Sequence, residues 1–137
     1  MRPGLSLLAL VALCVGCHDH DHDHHHGTVP AEHADRQSPF DQADDDALTA
    51  GQAIYAAQCA SCHGDTGAGD GPAAASLDPP ATDFTAGHDW TDAYLYWRIA
   101  DGGAAEPFES SMPAYAASLS EVEIWQVIAA VRHLAGE

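Results

Sequence analysis

The sequence predicts a small all-α domain of three main helices joined by loops, and three observations carry that reading. Near the C-terminus Ile124, Ile128, Val131 and Leu134 recur at helical spacing on one face, with Trp125 beside them. Helix-start residues stand ahead of each candidate helix, and glycines follow the last two. No stretch alternates apolar and polar residues with period two, so no sheet is expected.

The first helix is expected from about Thr49 to Cys59, with Thr49 as its N-cap. Asp44, Asp45 and Asp46 lie just upstream, where negative charge favours a helix N-terminus. The middle helix is expected from about Thr91 to Ala100 and stops at Gly102-Gly103. The last opens on a capping box formed by Ser120 and Glu123, runs to about Leu134 and ends at Gly136.

A chain of 137 residues has room for one small domain. Domains of that size bury a modest share of their surface and often need a staple, a metal or a cofactor. Charge narrows the partners. Twenty-one acidic residues face four basic ones, Arg2, Arg36, Arg98 and Arg132, for a formal net charge of −17. Such a surface repels nucleic acid and anionic headgroups, so no nucleic-acid partner is expected, and it steers towards proteins with basic docking surfaces. The same acidity also serves solubility.

Three segments divide the chain: 1–16 as a leader, 17–47 as a tether and 48–137 as the folded domain. Met1-Arg2 is a short positive start, and Leu5 to Val15 is apolar but too short to cross a bilayer as a helix. It reads as an export signal peptide. The run Cys14-Val15-Gly16-Cys17 resembles a bacterial lipobox, departing from it at Cys14, where Leu is usual. That resemblance implies cleavage before Cys17, acylation of Cys17 and a lipoprotein held on the periplasmic side of a bacterial membrane, since several acyl chains anchor stably. An uncleaved or differently cleaved signal is the alternative, leaving a soluble protein or a helical anchor.

Residues 17–47 are rich in His, Asp, Gln, Ser and Pro and hold too little apolar surface to offset the entropy of ordering them. They are expected to form a disordered tether, spanning roughly 30 Å on average between Cys17 and Thr49. Within it the imidazoles from His18 to His26 offer nitrogen ligands to a divalent cation such as copper, nickel or zinc. A solvated spacer with adventitious metal binding is the bland reading of that tract.

Chemistry concentrates at Cys59-Ala60-Ser61-Cys62-His63. Two thiols three apart, followed at once by an imidazole, match what covalent haem attachment needs: the thiols add to the vinyl groups and the His meets one face of the iron. A zinc site wants about four ligands, and no second Cys/His pair follows. A thioredoxin-like pair belongs in a βαβ context, which is absent here. The cofactor expected is therefore one covalent haem c, held by Cys59 and Cys62, with His63 as axial ligand. Once Met1 leaves with the leader, Met112 is the thioether that remains, stiffened by Pro113, and it is the favoured second axial ligand. His88 and His133 are the alternatives. Trp125 reads as core, whereas Trp97 either packs in the core or donates its indole N–H to a haem propionate. Arg98 either offsets a propionate or is solvated.

With these residues in view, the chain resembles a class I c-type cytochrome over roughly 48–135. Gly51 and Tyr55 stand where that family packs a Gly/aromatic pair against the last helix. Gly69-Asp70-Gly71-Pro72 resembles the loop whose proline carbonyl holds the proximal His, which implies that Pro72 orients His63. The stretches Leu77 to Phe84 and Tyr96 to Gly102 resemble small periplasmic bacterial members, and Ser111-Met112-Pro113-Ala114-Tyr115 resembles the distal-ligand loop, with Tyr115 where Trp or Phe is commoner. The resemblance implies the small cytochrome c fold, three main helices and loops wrapped around one haem. It also implies a partner surface around Met112, Ala114 and the Cys59–Cys62 edge.

With His and Met both bound, iron would have no vacancy for substrate, and one-electron transfer rather than catalysis is expected. Three readings follow: a membrane-tethered carrier between respiratory partners, a fixed haem subunit of a membrane respiratory complex, and a small haem enzyme or sensor with open iron.

Overall fold

The computed structural model describes residues 27–41, 44–104 and 107–137. The leader, Cys17 and the tract His18–His26 lie outside the described residues. Four helices follow in chain order: α1 (Asp45–Gln58), α2 (Ala60–His63), α3 (Asp92–Asp101) and α4 (Glu121–Ala135), with short 3-10 turns at Ala74–Ser76 and Phe84–Ala86. No strand occurs among the described residues.

The first helix starts earlier than Thr49. Asp44 is its N-cap, with a side-chain oxygen accepting the N–H of Ala47 at 2.8 Å, and Asp45 and Asp46 occupy the first turn. The upstream aspartates thus do two jobs, one capping and two facing the positive end of the helix dipole, and Thr49 becomes an interior residue. The α3 and α4 boundaries follow their local signals. Thr91 caps α3 through the N–H of Tyr94, and Gly102, at φ 74°, ends it. At α4 the capping box is complete, since Ser120 Oγ accepts the N–H of Glu123 and the Glu123 carboxylate accepts the N–H of Ser120 at 2.8 Å. Gly136 closes the helix in a left-handed conformation at φ 83°.

α1 packs against α4, and the approach is set by Gly51. A Cβ there would stand 1.8 Å from the carbonyl oxygen of Gln126, so only glycine lets the two backbones come this close. Tyr55, one turn on, is buried in the same contact. α3 leans on the same helix, with the Tyr96 and Trp125 rings 4.8 Å apart. Ile124, Val127 and Ile128 are the largest fully buried side chains. The core is therefore one three-helix cluster, and α2 projects from it with the Cys59–His63 turn.

The second half of the segment read as a tether lies on the domain. His33 is buried, with Nε2 3.1 Å from the Asp101 carboxylate. Arg36 covers the Tyr96 ring at 4.2 Å and reaches Glu121 at 2.7 Å. The Ser38 N–H donates to Asp92 at 2.8 Å, and Phe40 packs at the edge of the core. Polar contacts and one aromatic side chain replace the apolar content whose scarcity suggested disorder.

Candidate haem site

Cys59 is the hinge on which the site is built. Its N–H still donates to Tyr55 O at 2.8 Å, closing α1, while its own carbonyl accepts the N–H groups of Cys62 and His63 at 3.1 and 3.0 Å. One residue therefore ends one helix and starts the next, and both thiols and the imidazole lie within a single turn. The loop after it folds back over α2. Gly69, Gly71 and Ala73 donate to the carbonyls of His63, Cys62 and Ser61 at 2.9, 3.2 and 2.8 Å, satisfying the helix end. Gly71 must be glycine for this, since a Cβ would meet Ser61 O at 2.4 Å. Tyr55 pins the turn from behind, its hydroxyl donating to Gly64 O at 2.8 Å.

The partner of the His63 ring corrects the expectation for Pro72. Nδ1 of His63 lies 3.1 Å from the carbonyl oxygen of Thr82, and Pro72 is exposed. The Gly69–Pro72 loop is occupied with the α2 carbonyls, so a later segment supplies the acceptor. Burial pushes the His63 pKa below its usual value. A neutral ring whose Nδ1–H donates to Thr82 keeps its lone pair on Nε2, the nitrogen that remains for a metal. Phe84 stacks on the imidazole at 4.6 Å, and its N–H donates to Gly67 O at 2.7 Å, so the ring is fixed on one face as well.

The segment carrying Met112 is bound to the C-terminal end of α3. Gly103 donates to Met112 O at 3.0 Å, while Tyr115 and Ala116 donate to Ile99 O and Ala100 O at 3.1 and 3.0 Å. Gly102 makes the close fit feasible, because a Cβ there would lie 2.7 Å from backbone atoms of Met112, Pro113 and Ala114. The Tyr115 hydroxyl then donates to Gln58 O at 3.0 Å, joining the Met112 loop to the residue before Cys59. Met112 itself is half-buried against the core. Of the alternative ligands, His88 stacks on Trp90 at 4.0 Å with Nε2 3.0 Å from Asp83 O, and His133 is exposed near the end of α4.

Trp97 is buried beside Phe108, Tyr94 and the Arg98 guanidinium. Arg98 lies mainly on Phe108, at 3.6 Å from the ring centroid, and desolvation there lowers its pKa. A further candidate donor is Trp90, whose Nε1 is buried and has no hydrogen-bond partner. Trp90 is in edge contact with Phe84, the ring that stacks on His63. Thr82 and Trp90 are thus the residues that reading the sequence missed. Thr82 acts through its backbone and carries no side-chain signal. Trp90 was signalled only by its place immediately before the α3 N-cap.

These residues fit a covalent haem. Both Cys59 and Cys62 are free and partly accessible. Burial, then the neighbouring Cys62, pushes the Cys59 thiol up to about 11. Among the described residues no three His, Cys, Asp or Glu side chains gather as a metal-ion site. An imidazole with a free Nε2, two thiols in one turn, a thioether loop and a buried orphan N–H suited to a carboxylate are what a haem with propionates would use.

The profile of the family described as cytochrome C oxidase, cbb3-type, subunit III matches residues 46–129. Among solved structures, a chain of the reducing HAO-like protein complex of Kuenenia stuttgartiensis is similar at a TM-score of 0.54 and 28% identity, covering 69% of this chain and 49% of that one. Cytochrome CL of the marine methylotroph Methylophaga aminisulfidivorans is similar at a TM-score of 0.48 and 25% identity, covering 67% and 55%. The chain spans about half the length of these solved chains. No curated protein sequence matches it.

Proposed function

The chain belongs to the cytochrome C oxidase, cbb3-type, subunit III family, as an electron-transfer c-type cytochrome domain, and from that premise we propose how it works. It holds one haem c, on Cys59-Ala60-Ser61-Cys62-His63, because the other match to that pattern, Cys14-Val15-Gly16-Cys17-His18, would be split by cleavage before Cys17. Cys59 and Cys62 would hold the haem through thioether bonds, and His63 and Met112 would bind its iron. When bound, the haem supplies a reversible one-electron couple, which Met/His ligation places at a fairly positive potential. The chain's own task is positioning. Thr82 O fixes the His63 tautomer, Phe84 holds the imidazole plane, the bonds to α3 hold the Met112 loop, and Trp90 N–H waits for a propionate.

The single observation that carries this reading is the His63 ring, neutral and anchored through Nδ1, on the same turn as two free thiols. The protein is read as exported to the periplasmic side and held there by acyl chains on Cys17, passing electrons to partners with basic docking surfaces. No helix among the described residues is long and apolar enough to cross a membrane. The tract His18–His26 remains available to a divalent cation, which titration of the apo-tract peptide with copper would test. A second reading, a fixed haem subunit of a membrane respiratory complex, draws on the family description, which names an oxidase subunit. Co-purification with large membrane proteins would favour it.

The test is the optical spectrum of the holoprotein, oxidised and reduced. A covalent haem spectrum with a weak far-red iron–sulfur band, lost in Met112→Ala, is expected. No covalent haem would sink the reading, and rapid carbon monoxide binding by the wild type would replace the carrier with an open-iron enzyme or sensor.

A further inference from the structure

The segment 27–41 is attached to the domain along its whole length. Its upstream end sits beside the loop leading to Met112: a Cβ on Gly27 would lie 2.9 Å from the Phe108 ring and 3.0 Å from Pro107 Cδ. Its centre is held by His33 on Asp101, the last residue of α3, and by Arg36 on Glu121, the first residue of α4. Its downstream end is held by Ser38 on Asp92, the first residue of α3. The strap therefore crosses both helices and delivers the chain to the Phe108 side of the molecule.

Resting on the reading that Cys17 is lipidated, we infer that this strap shifts the domain's point of attachment from the start of α1 to Gly27, and so holds the Met112 loop near the bilayer. Ten residue steps separate Cys17 from Gly27, a reach of at most about 36 Å however the chain is arranged. Without the strap, twenty-seven steps would separate Cys17 from Asp44, a reach of up to about 97 Å. The kind of partner follows. It is a membrane-embedded redox protein whose centre opens close to the bilayer surface, met by the face around Phe108 and Met112. A partner centre standing far above the membrane is out of range while the strap is bound.

The position of an insertion tests this. The holoprotein beginning at Cys17 is coupled through that thiol to a maleimide-headgroup lipid in phosphatidylcholine vesicles, which carry a headgroup fluorophore quenched by the haem. Ten Gly/Ser residues inserted before Gly27 should cause a clear loss of quenching. The same ten inserted after Asp41 should leave quenching at the wild-type level, because the strap still fixes the exit point. In the His33→Ala/Arg36→Ala background the downstream insertion should then cause the loss, with the haem spectrum unchanged. Equal loss from both insertions in the wild-type background, or no loss from the upstream one, would overturn the strap. Mass spectrometry of the membrane-extracted protein reads the anchor separately: Cys17 without acyl chains would remove the anchor reading and this inference with it.

Discussion

A methyl group at Gly51 would meet the Gln126 carbonyl at 1.8 Å, a backbone atom that cannot swing aside. Gly51→Ala should therefore push α1 off α4 and cost about 1–3 kcal/mol, the usual range for overpacking, measurable by denaturant titration of the holoprotein. Glycine and tyrosine at 51 and 55 were legible through the resemblance to class I c-type cytochromes, which pack such a pair against the last helix. Trp90 and Trp97 show the opposite. Both are buried, and the Trp90 N–H is enclosed without an acceptor, which depends on the surroundings of the indole rather than on residue type. If Trp90 donates to a propionate, Trp90→Phe should shift the midpoint potential and its dependence on pH between pH 5 and 8, while Trp97→Phe should leave both nearly unchanged. A potential that responds only to Trp97→Phe would return the role to Trp97.

At the scale of elements, caps decide the boundaries. Asp44→Ala should destabilise the fold by about 1 kcal/mol, whereas Thr49→Ala should have little effect, because Thr49 lies within α1. Thermal melts of the two variants distinguish the cap from the interior position. The capping box of α4 makes a pH-dependent prediction. Hydrogen bonds from the Ser120 N–H and hydroxyl hold the Glu123 pKa below its ordinary 4.5. A carboxylate lowered in the folded state stabilises above the unfolded pKa, and that contribution fades as pH falls through the folded value. Glu123→Gln should thus lower the Tm at pH 7, and the difference from wild type should disappear towards pH 3. A difference that persists unchanged at pH 3 would rule the carboxylate out. The α4 box was readable because Ser120 and Glu123 report on each other across one turn. At α1 the local signal pointed to Thr49, with the aspartates read only as favourable charge, whereas the cap is Asp44, whose side chain accepts the N–H of Ala47.

For the whole molecule, a net charge of −17 acts over distances that salt controls. The Debye length shrinks from about 30 Å to about 8 Å between 0.01 and 0.15 M ionic strength. Reduction of a cationic cobalt complex by the reduced protein should slow over that range, and reduction of hexacyanoferrate(III) should quicken, measured by stopped flow. Rates insensitive to salt would mean that the acidic surface does not govern approach to the haem edge. By itself the sequence determined the attachment chemistry, the acidic character and two of the three main helix starts. Each of these is local, resting on side-chain identity and short spacing. Tertiary structure decided that Thr82, nineteen residues beyond His63, supplies the carbonyl for its ring, and that the Trp90 N–H is buried without an acceptor. It also decided that residues 27–41 form a strap across α3 and α4. Any residue's carbonyl can accept a hydrogen bond, and a polar segment binds wherever complementary charges happen to converge. Neither leaves a signature in the order of side chains, so both had to wait for the chain to be folded.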